Sequence, residues 1–181
     1  MKPVLIDCDD VLLNLLDHWL EYLNKKYKLN YYSNDIKSWN ISEWISELTK
    51  KEIYDCLYQQ DFYEDISPVI GSYGFISMLK ANKIPFRVVT AHNYKTISAK
   101  VEQIFRIYGN LITWDDIIIA SDKSLISGSV MIDDNISNLI DNKLVDTKIL
   151  FSRPHNLIYK NISKSIYYTD NFKEIYNIIK G

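Results

Sequence analysis

Acidic side chains follow the first apolar run of the chain at a spacing that suits chemistry. Val4-Leu5-Ile6 predicts a buried strand, and Asp7-Cys8-Asp9 comes directly after it. Because successive side chains on a strand point to opposite faces, we expect Asp7 and Asp9 to project to one side and Cys8 to the other. Two carboxylates that share one site can hold a cation, attack an electrophile or transfer a proton.

Three further segments carry polar residues of complementary types. Thr90-Ala91 ends a second apolar run and offers a hydroxyl with backbone amides, which are phosphate ligands by type. Asp133-Asp134 ends a later run, and Lys123 precedes this pair by ten residues. Each feature alone has an ordinary explanation as turn chemistry or a solvated side chain. Together they are the residue types that a magnesium-dependent phosphoryl-transfer site requires.

The charges explain why magnesium enters this prediction. Clustered carboxylates repel one another unless a hard cation neutralises them, and oxygen ligands with open positions suit Mg²⁺. A phosphate dianion that approaches carboxylates likewise requires Mg²⁺, Lys123 and amide donors to offset its charge, while one Asp attacks phosphorus in line. The second Asp then handles protons.

Helices and short apolar strands must bring these residues together. The predicted helices cover Leu15–Tyr27, a Thr49-x-x-Glu52 capping box through about Tyr58, Tyr73–Ala81, a stretch from an Asn93 N-cap to Gly109, a short stretch after Asn135, and Phe172–Ile179. The predicted strands cover Val4–Ile6, Pro85–Val89, Ile117–Ile119, Val130–Ile132 and Lys148–Phe151. Continuous apolar strands alternating with helices predict an α/β fold with a parallel sheet covered on both faces. Ligands of such sheets lie beyond the carboxyl ends of the strands.

The composition excludes several classes of protein. The 181 residues include 21 Lys and Arg against 23 Asp and Glu, a balance that offers no cationic field for polymeric nucleic acid or a membrane. The 47% of hydrophobic residues indicates one substantial folded core rather than disorder. Two cysteines make no disulfide framework, and Asp7, Asp9 and Asp10 interrupt any apolar signal segment. We therefore expect a cytoplasmic protein.

In order and spacing, Asp7-x-Asp9-x-Val11, Thr90, Lys123 and Asp133-Asp134 resemble the four motifs of the haloacid dehalogenase (HAD) superfamily. Within it, LIDCDDVL (residues 5–12) and SDKSLISGSVMIDD (residues 121–134) are similar to the 5'(3')-deoxyribonucleotidase family, as are WNISE (39–43) and DFYE (61–64). The resemblance implies a Rossmann-like, doubly wound core formed by residues 1–13 and 71–181, with residues 14–70 inserted after strand one as a small helical cap. It also implies a Mg²⁺-dependent phosphatase for nucleoside monophosphates, deoxyribonucleotides in particular.

The resemblance assigns catalytic roles residue by residue. Asp7 would be the nucleophile that becomes an aspartyl phosphate. Asp9 would protonate the departing nucleoside oxygen and then activate the hydrolytic water. Thr90, the Ala91 amide and Lys123 would hold the phosphoryl oxygens.

Metal and nucleoside sites are implied in the same way. Mg²⁺ would be bound by the Asp7 carboxylate, the Asp9 carbonyl and Asp134, with Asp133 in support. Asp10 stands where the family usually has Gly, and Asn14 where it usually has Asp. Aromatic residues make up 13% of the chain, more than its core requires, and many of them fall in the insert. The pocket for base and sugar would comprise Trp39, Asn40, Ile41, Phe62, Tyr63 and His92.

Several alternatives stay open. The same site could hydrolyse another small phosphate ester, such as a sugar phosphate. A phosphoacceptor signalling domain uses similar residues, but its Lys follows the acceptor Asp on a late strand, whereas here Lys123 precedes the second acidic pair. A silent nucleotide-binding module would not require a proton-transfer partner such as Asp9 beside Asp7. The expected partner is a small-molecule nucleotide, and a homodimer is left open.

Overall fold

Six parallel strands form the central sheet of the computed structural model, which describes residues 2–91 and 93–181. Across the sheet their order is β3-β2-β1-β4-β5-β6, and each neighbouring pair runs parallel. The strands are β1 (Val4–Asp7), β2 (Phe86–Thr90), β3 (Ile117–Ile119), β4 (Gly128–Asp133), β5 (Val145–Phe151) and β6 (Ile166–Thr169). This is the doubly wound order whose direction of progression reverses between β1 and β4. The predicted α/β fold is confirmed.

The described residues form six α-helices, which lie between the strands and after the last one. They are α1 (Leu15–Tyr27), α2 (Lys50–Tyr54), α3 (Ser72–Ala81), α4 (Ile97–Tyr108), α5 (Ile136–Asp141) and α6 (Phe172–Lys180). The capping box is present, since the Thr49 hydroxyl accepts from the Glu52 N–H and the Glu52 carboxylate from the Thr49 N–H. However, α2 ends at Tyr54 and continues to Tyr58 only as a 3-10 turn.

One local prediction is wrong, and one strand was missed. The N-cap of α4 is Thr96 and not Asn93. The Asn93 side chain instead accepts from the Lys95 N–H and closes a separate turn, three residues before the helix cap. Strand β6 was not predicted, because its side chains are mostly half-buried or exposed at the sheet edge and form no continuous apolar run. At the other end of α4, Gly109 ends the helix as predicted and has a positive φ of 53°, but its ψ of −129° lies outside the left-handed helical region that was expected.

Both faces of the sheet are covered, as the apolar strands predict. On β1, Val4 and Ile6 pack into one hydrophobic cluster and Leu5 into the other, which follows the alternation of side chains along a strand. Cys8 and Cys56 are both buried free thiols. No helix in the described part of the chain is long and apolar enough to cross a membrane.

A helical segment lies between β1 and α3. It contains α1, α2 and four 3-10 turns, with no strand longer than an isolated bridge between Leu13 and Pro68. At this bridge the two ends of the segment lie together, since the Asn14 N–H donates to the Ser67 carbonyl at 2.9 Å and the Val69 N–H to the Leu12 carbonyl at 2.8 Å. The helical character of the insert is confirmed, and the boundaries 14 and 70 of a separate cap stay a prediction.

Candidate active site

Three strand ends meet at the carboxyl edge of the sheet. Asp7 ends β1, Thr90 ends β2 and Asp133 ends β4, and β1 lies between the other two strands. All three side chains are buried, while Ala91 directly beyond Thr90 is exposed. The strand order thus brings together residues that are far apart in the chain.

Lys123 joins two of the acidic strand ends. Its ammonium lies 2.6 Å from Asp7 Oδ1 and 2.8 Å from Asp133 Oδ2. Asn142 holds the 3-10 turn that carries this lysine, donating to the carbonyls of Lys123 and Ile126 at 2.9 Å each. Burial alone would lower the pKa of Lys123, but Asp7 and Asp133 raise it, so the cation stays charged.

Asp7, Asp133 and Asp134 form a buried carboxylate cluster in which one oxygen of each lies within 4.8 Å of the others. Burial, followed by the Asp133 charge, raises the pKa of Asp7 from 3.8 to about 7. The pKa of Asp134 is raised well above 3.8 by burial and then by Asp7 and Asp10. Either a bound cation or protonation of one carboxylate reduces the repulsion between these groups. All the donors are hard oxygens, which suits a divalent ion such as Mg²⁺.

Asp133 and Asp134 differ in whether a carboxylate oxygen remains without a hydrogen-bond donor and could bind a cation. Asp133 is saturated: besides Lys123, it accepts from the Asn135 N–H at 2.9 Å and from the Asn138 amide at 3.0 and 3.1 Å. Asp134 accepts from His155 Nε2 at 2.8 Å through Oδ2, whereas no described residue donates to its buried Oδ1. A buried oxygen without a partner is costly, so this atom fits a metal ligand.

Asp9 lies in the turn beyond β1 rather than on the strand. Its Oδ2 forms an ion pair with Lys100, a residue of α4 that the sequence did not single out, and Lys100 also donates to Thr90 Oγ1 at 2.9 Å. The Asp9 charge still contributes to raising the pKa of Asp7, so the two carboxylates are electrostatic neighbours. The cluster of three carboxylates does not include Asp9.

Asp10, the departure from the family's Gly, has φ 55°. Aspartate tolerates this left-handed backbone better than most residues, and Asp10 Oδ1 also accepts from the Leu16 N–H at 3.0 Å, in the first turn of α1. Burial raises the pKa of Asp10 to about 7, with the Arg153 guanidinium opposing it.

A cavity of about 330 Å³ lies between this acidic site and the helical insert. Asp9 and Asp10 line one side of it, and predicted pocket residues Trp39, Asn40 and Ile41 line another. The Trp39 ring is 57% exposed and meets the buried His155 ring edge-on, with centroids 5.5 Å apart.

The structure does not bring Phe62 and Tyr63 to the cavity. They are 3% and 1% exposed because they fill the interior of the insert, where Phe62 packs edge-on against His18. The Tyr63 hydroxyl donates to the Leu57 carbonyl at 3.1 Å, and its pKa is raised by burial and then by Asp9. His92, also predicted for the pocket, lies outside the described residues.

Comparison with known proteins identifies the family. A family model described as "5' nucleotidase, deoxy (Pyrimidine), cytosolic type C protein" matches residues 1–181. The chain belongs to this nucleotidase family. A 5'(3')-deoxyribonucleotidase of Bacillus subtilis is 30% identical over 156 residues, which are 86% of this chain and 87% of the relative. A 5'(3')-deoxyribonucleotidase of Clostridium acetobutylicum is 31% identical over 157 residues, 86% of this chain and 84% of the relative.

Solved structures with little sequence similarity share the fold of this nucleotidase family member. A HAD family hydrolase from Deinococcus radiodurans has a TM-score of 0.65 at 12% identity, covering 99% of this chain and 95% of its own. A predicted phosphatase from Clostridium acetobutylicum has a TM-score of 0.63 at 16% identity, covering 99% and 98%. These structures confirm the fold, and the family model with the two relatives confirms the resemblance to 5'(3')-deoxyribonucleotidases and the class of phosphoric monoester hydrolase.

Two residues of the site were missed by the sequence analysis. Lys100 is spaced like the apolar residues Ile97 and Ile104 of α4, and a charged residue on such a stripe is a signal that could have been used. His155 follows β5 and contacts Asp134 across a span of 21 residues, a pairing for which the sequence contains no local signal.

Proposed function

We propose that this chain is a Mg²⁺-dependent phosphatase that hydrolyses the phosphate ester of nucleoside monophosphates, deoxyribonucleotides in particular. One observation carries the proposal: the cavity of about 330 Å³ is lined by Asp9 and Asp10 at one side and by Trp19, Trp39 and Tyr54 of the insert. A phosphate at the strand ends would thus have an aromatic-lined space next to it for a base and sugar. The names of the relatives support the deoxyribonucleotide as substrate.

In the first half-reaction, Asp7 attacks phosphorus. Both the Cys8 N–H, at 2.7 Å, and Lys123 donate to Asp7 Oδ1, which leaves Oδ2 as the attacking atom. An Oδ2–phosphorus bond forms, the bond from phosphorus to the ester oxygen breaks, and Asp9 gives its proton to the departing oxygen. Thr90, the Ala91 amide and Lys123 hold the phosphoryl oxygens.

In the second half-reaction, Asp9 acts as a base. It takes a proton from water, which attacks the phosphorus of the aspartyl phosphate, and the bond between Asp7 and phosphorus breaks. Inorganic phosphate leaves, and Asp7 is again a carboxylate. One residue can serve both steps because the first step leaves Asp9 deprotonated.

Mg²⁺ would be held by the carboxylates of Asp7 and Asp134 and by the Asp9 carbonyl. Asp133, whose oxygens are saturated, would support the site through Lys123 and its own hydrogen bonds. When bound, the ion would supply positive charge that offsets the negative charge of the nucleophile and of the phosphoryl group. We further propose that residues 14–70 act as a cap over the substrate and that the enzyme is cytoplasmic.

The test is phosphate release from dUMP, dTMP, a purine deoxynucleotide and several sugar phosphates under one condition with Mg²⁺. We expect the nucleotides to be preferred, and we expect Asp7→Asn or a chelator to abolish turnover. Undiminished activity in Asp7→Asn would overturn the mechanism. Preference for sugar phosphates would overturn the substrate class and favour the alternative phosphatase.

A further inference from the structure

Lys100 is a completely buried lysine that lies outside the four predicted motifs. It is 0% exposed and belongs to α4, the helix that follows β2. Lysine is almost never fully buried unless its charge is paired, because leaving water is costly for an ammonium group. The residues that pair with the buried Lys100 ammonium therefore indicate what this charge does inside the fold.

Both hydrogen-bond partners of Lys100 described above belong to predicted motifs. Its ammonium pairs with Asp9 Oδ2 and donates to Thr90 Oγ1 at 2.9 Å. An ammonium group has donors only, so the Thr90 oxygen must accept in this contact. The single hydroxyl proton of Thr90 is then directed to another acceptor, such as a phosphoryl oxygen.

The contact with Lys100 orients the Asp9 carboxyl group. It lies in a turn after β1, and no described residue donates to its buried Oδ1. Lys100, by contrast, is fixed by α4, which packs through Val101 and Ile104 and is tied to the insert by Gln103, whose amide donates to the Ile66 carbonyl at 2.8 Å. The packing of α4 therefore fixes the position of Lys100, and the ion pair with Lys100 fixes the orientation of the Asp9 carboxyl group.

We propose that Lys100 is a positioning residue that holds Asp9 next to Thr90, so that Asp9 delivers its proton to the departing oxygen of a phosphate held at Thr90. This rests on the proposed function. The proton moves from Asp9 to the ester oxygen as the phosphorus–oxygen bond breaks, and Lys100 keeps its own protons. Lys100 is thereby distinct from Lys123, which contacts Asp7 and Asp133.

The experiment compares two leaving groups. A deoxyribonucleoside 5'-monophosphate releases an alkoxide that requires protonation, whereas p-nitrophenyl phosphate releases a stable phenolate that does not. The ratio kcat/KM covers the steps up to loss of the leaving group. Since misplacing a catalytic group can cost on the order of 10²-fold, we expect Lys100→Met to lower kcat/KM by about that factor for the nucleotide. For the aryl ester we expect a loss of less than about threefold, since its leaving group requires little general-acid help.

Two controls separate this effect from a general disturbance. Gln103→Met removes another buried polar contact of α4 and should lower kcat/KM for both substrates by the same factor. In an Asp9→Asn background, Lys100→Met should cause little further loss for the nucleotide, because coupled residues are not additive. If Lys100→Met fails to fold, Lys100→Gln carries the same comparison.

Equal losses for the two substrates, or additive losses with Asp9→Asn, would overturn the proposal and make Lys100 a residue of phosphate binding or of folding. A wild-type protein that releases no phosphate from the nucleotide would instead contradict the proposed function. The two failures are therefore distinguishable.

Discussion

Replacing Asp7 with Asn is expected to stabilise the metal-free protein while abolishing turnover. Burial, together with Asp133, raises the pKa of Asp7 from 3.8 to about 7. Between these two pH values the unfolded chain has released the proton that the folded protein still holds. Stability therefore falls as the pH rises from about 4 to 7, and a neutral side chain avoids this loss.

The pKa values set the size of the effect. A shift of about three pH units corresponds to roughly 4 kcal/mol at pH 8, where the folded carboxyl is ionised. Water and side-chain relaxation screen buried charges, so we expect about half of this, roughly 2 kcal/mol. Asn retains an oxygen that can accept from the Cys8 N–H, which contacts Asp7 Oδ1 at 2.7 Å. The gain should shrink toward zero near pH 4.

Urea unfolding in the presence of a chelator measures this gain at pH 5 and pH 8. Asp61→Asn, at an exposed site, is the matched control and should change the free energy of unfolding little at either pH. Added Mg²⁺ should stabilise the wild type more than Asp7→Asn, because ligand binding to the folded state raises its stability. The reasoning is refuted if Asp7→Asn is no more stable than the wild type at pH 8, or if its gain is equal at both pH values.

Changes at four further residues have distinct expected outcomes. His155→Ala should weaken Mg²⁺ binding, measured by calorimetry, by about 10- to 100-fold, because the Asp134 carboxylate loses the donor that orients it, and His155→Gln should lose less. Trp39→Ala should raise KM with little change in melting temperature, whereas Phe62→Ala should cost about 3–5 kcal/mol of stability, since only Trp39 lines the cavity and Phe62 is buried. Near pH 4, where the raised pKa of Asp10 costs no stability, Asp10→Gly should unfold in urea at nearly the wild-type midpoint, because relief of the φ 55° conformation, about 1–2 kcal/mol, offsets the lost hydrogen bond to α1. Asp10→Ala should be less stable than both.

The buried strands could be predicted because both faces of the sheet are covered. Val130–Ile132 of β4 and Ile149–Phe151 of β5 are continuous apolar runs, which need no periodicity to be recognised. The three isoleucines of β3 form such a run as well, although β3 is an edge strand and Ile119 is exposed. Strand β6 lies at an edge of the sheet, where Tyr167 is exposed and Thr169 is buried, so its residues give a weak pattern. Its pairing with β5 comes from the tertiary structure.

The residues at the carboxyl edge could be predicted for a geometric reason. Once the strands are parallel, Asp7, Thr90 and Asp133 must lie at one edge, whatever the helices do. The contacts of Lys100 and His155 depend instead on how α4 and the segment after β5 dock, and no local pattern determines this. Likewise, composition could not separate Trp39 at the cavity from Phe62 in the interior of the insert, because both are aromatic residues of one segment.

Two buried lysines divide the charges of the site into two groups with different requirements. Asp9 has a cation, Lys100, as its partner, so this pair carries no excess negative charge whether or not Asp9 holds a proton. Lys123 is a single cation among Asp7, Asp133 and Asp134, and burial together with the negative charge of this group raises the pKa of Asp7. Under the proposed function, the divalent ion offsets the charge of the Asp7 and Asp134 carboxylates, whereas Asp9 contributes only its carbonyl and its carboxyl group needs no metal. We therefore expect metal binding to be sensitive to changes at Lys123, Asp7, Asp133 and Asp134. Protonation of the leaving group should be sensitive to changes at Lys100, so the two functions can be impaired separately.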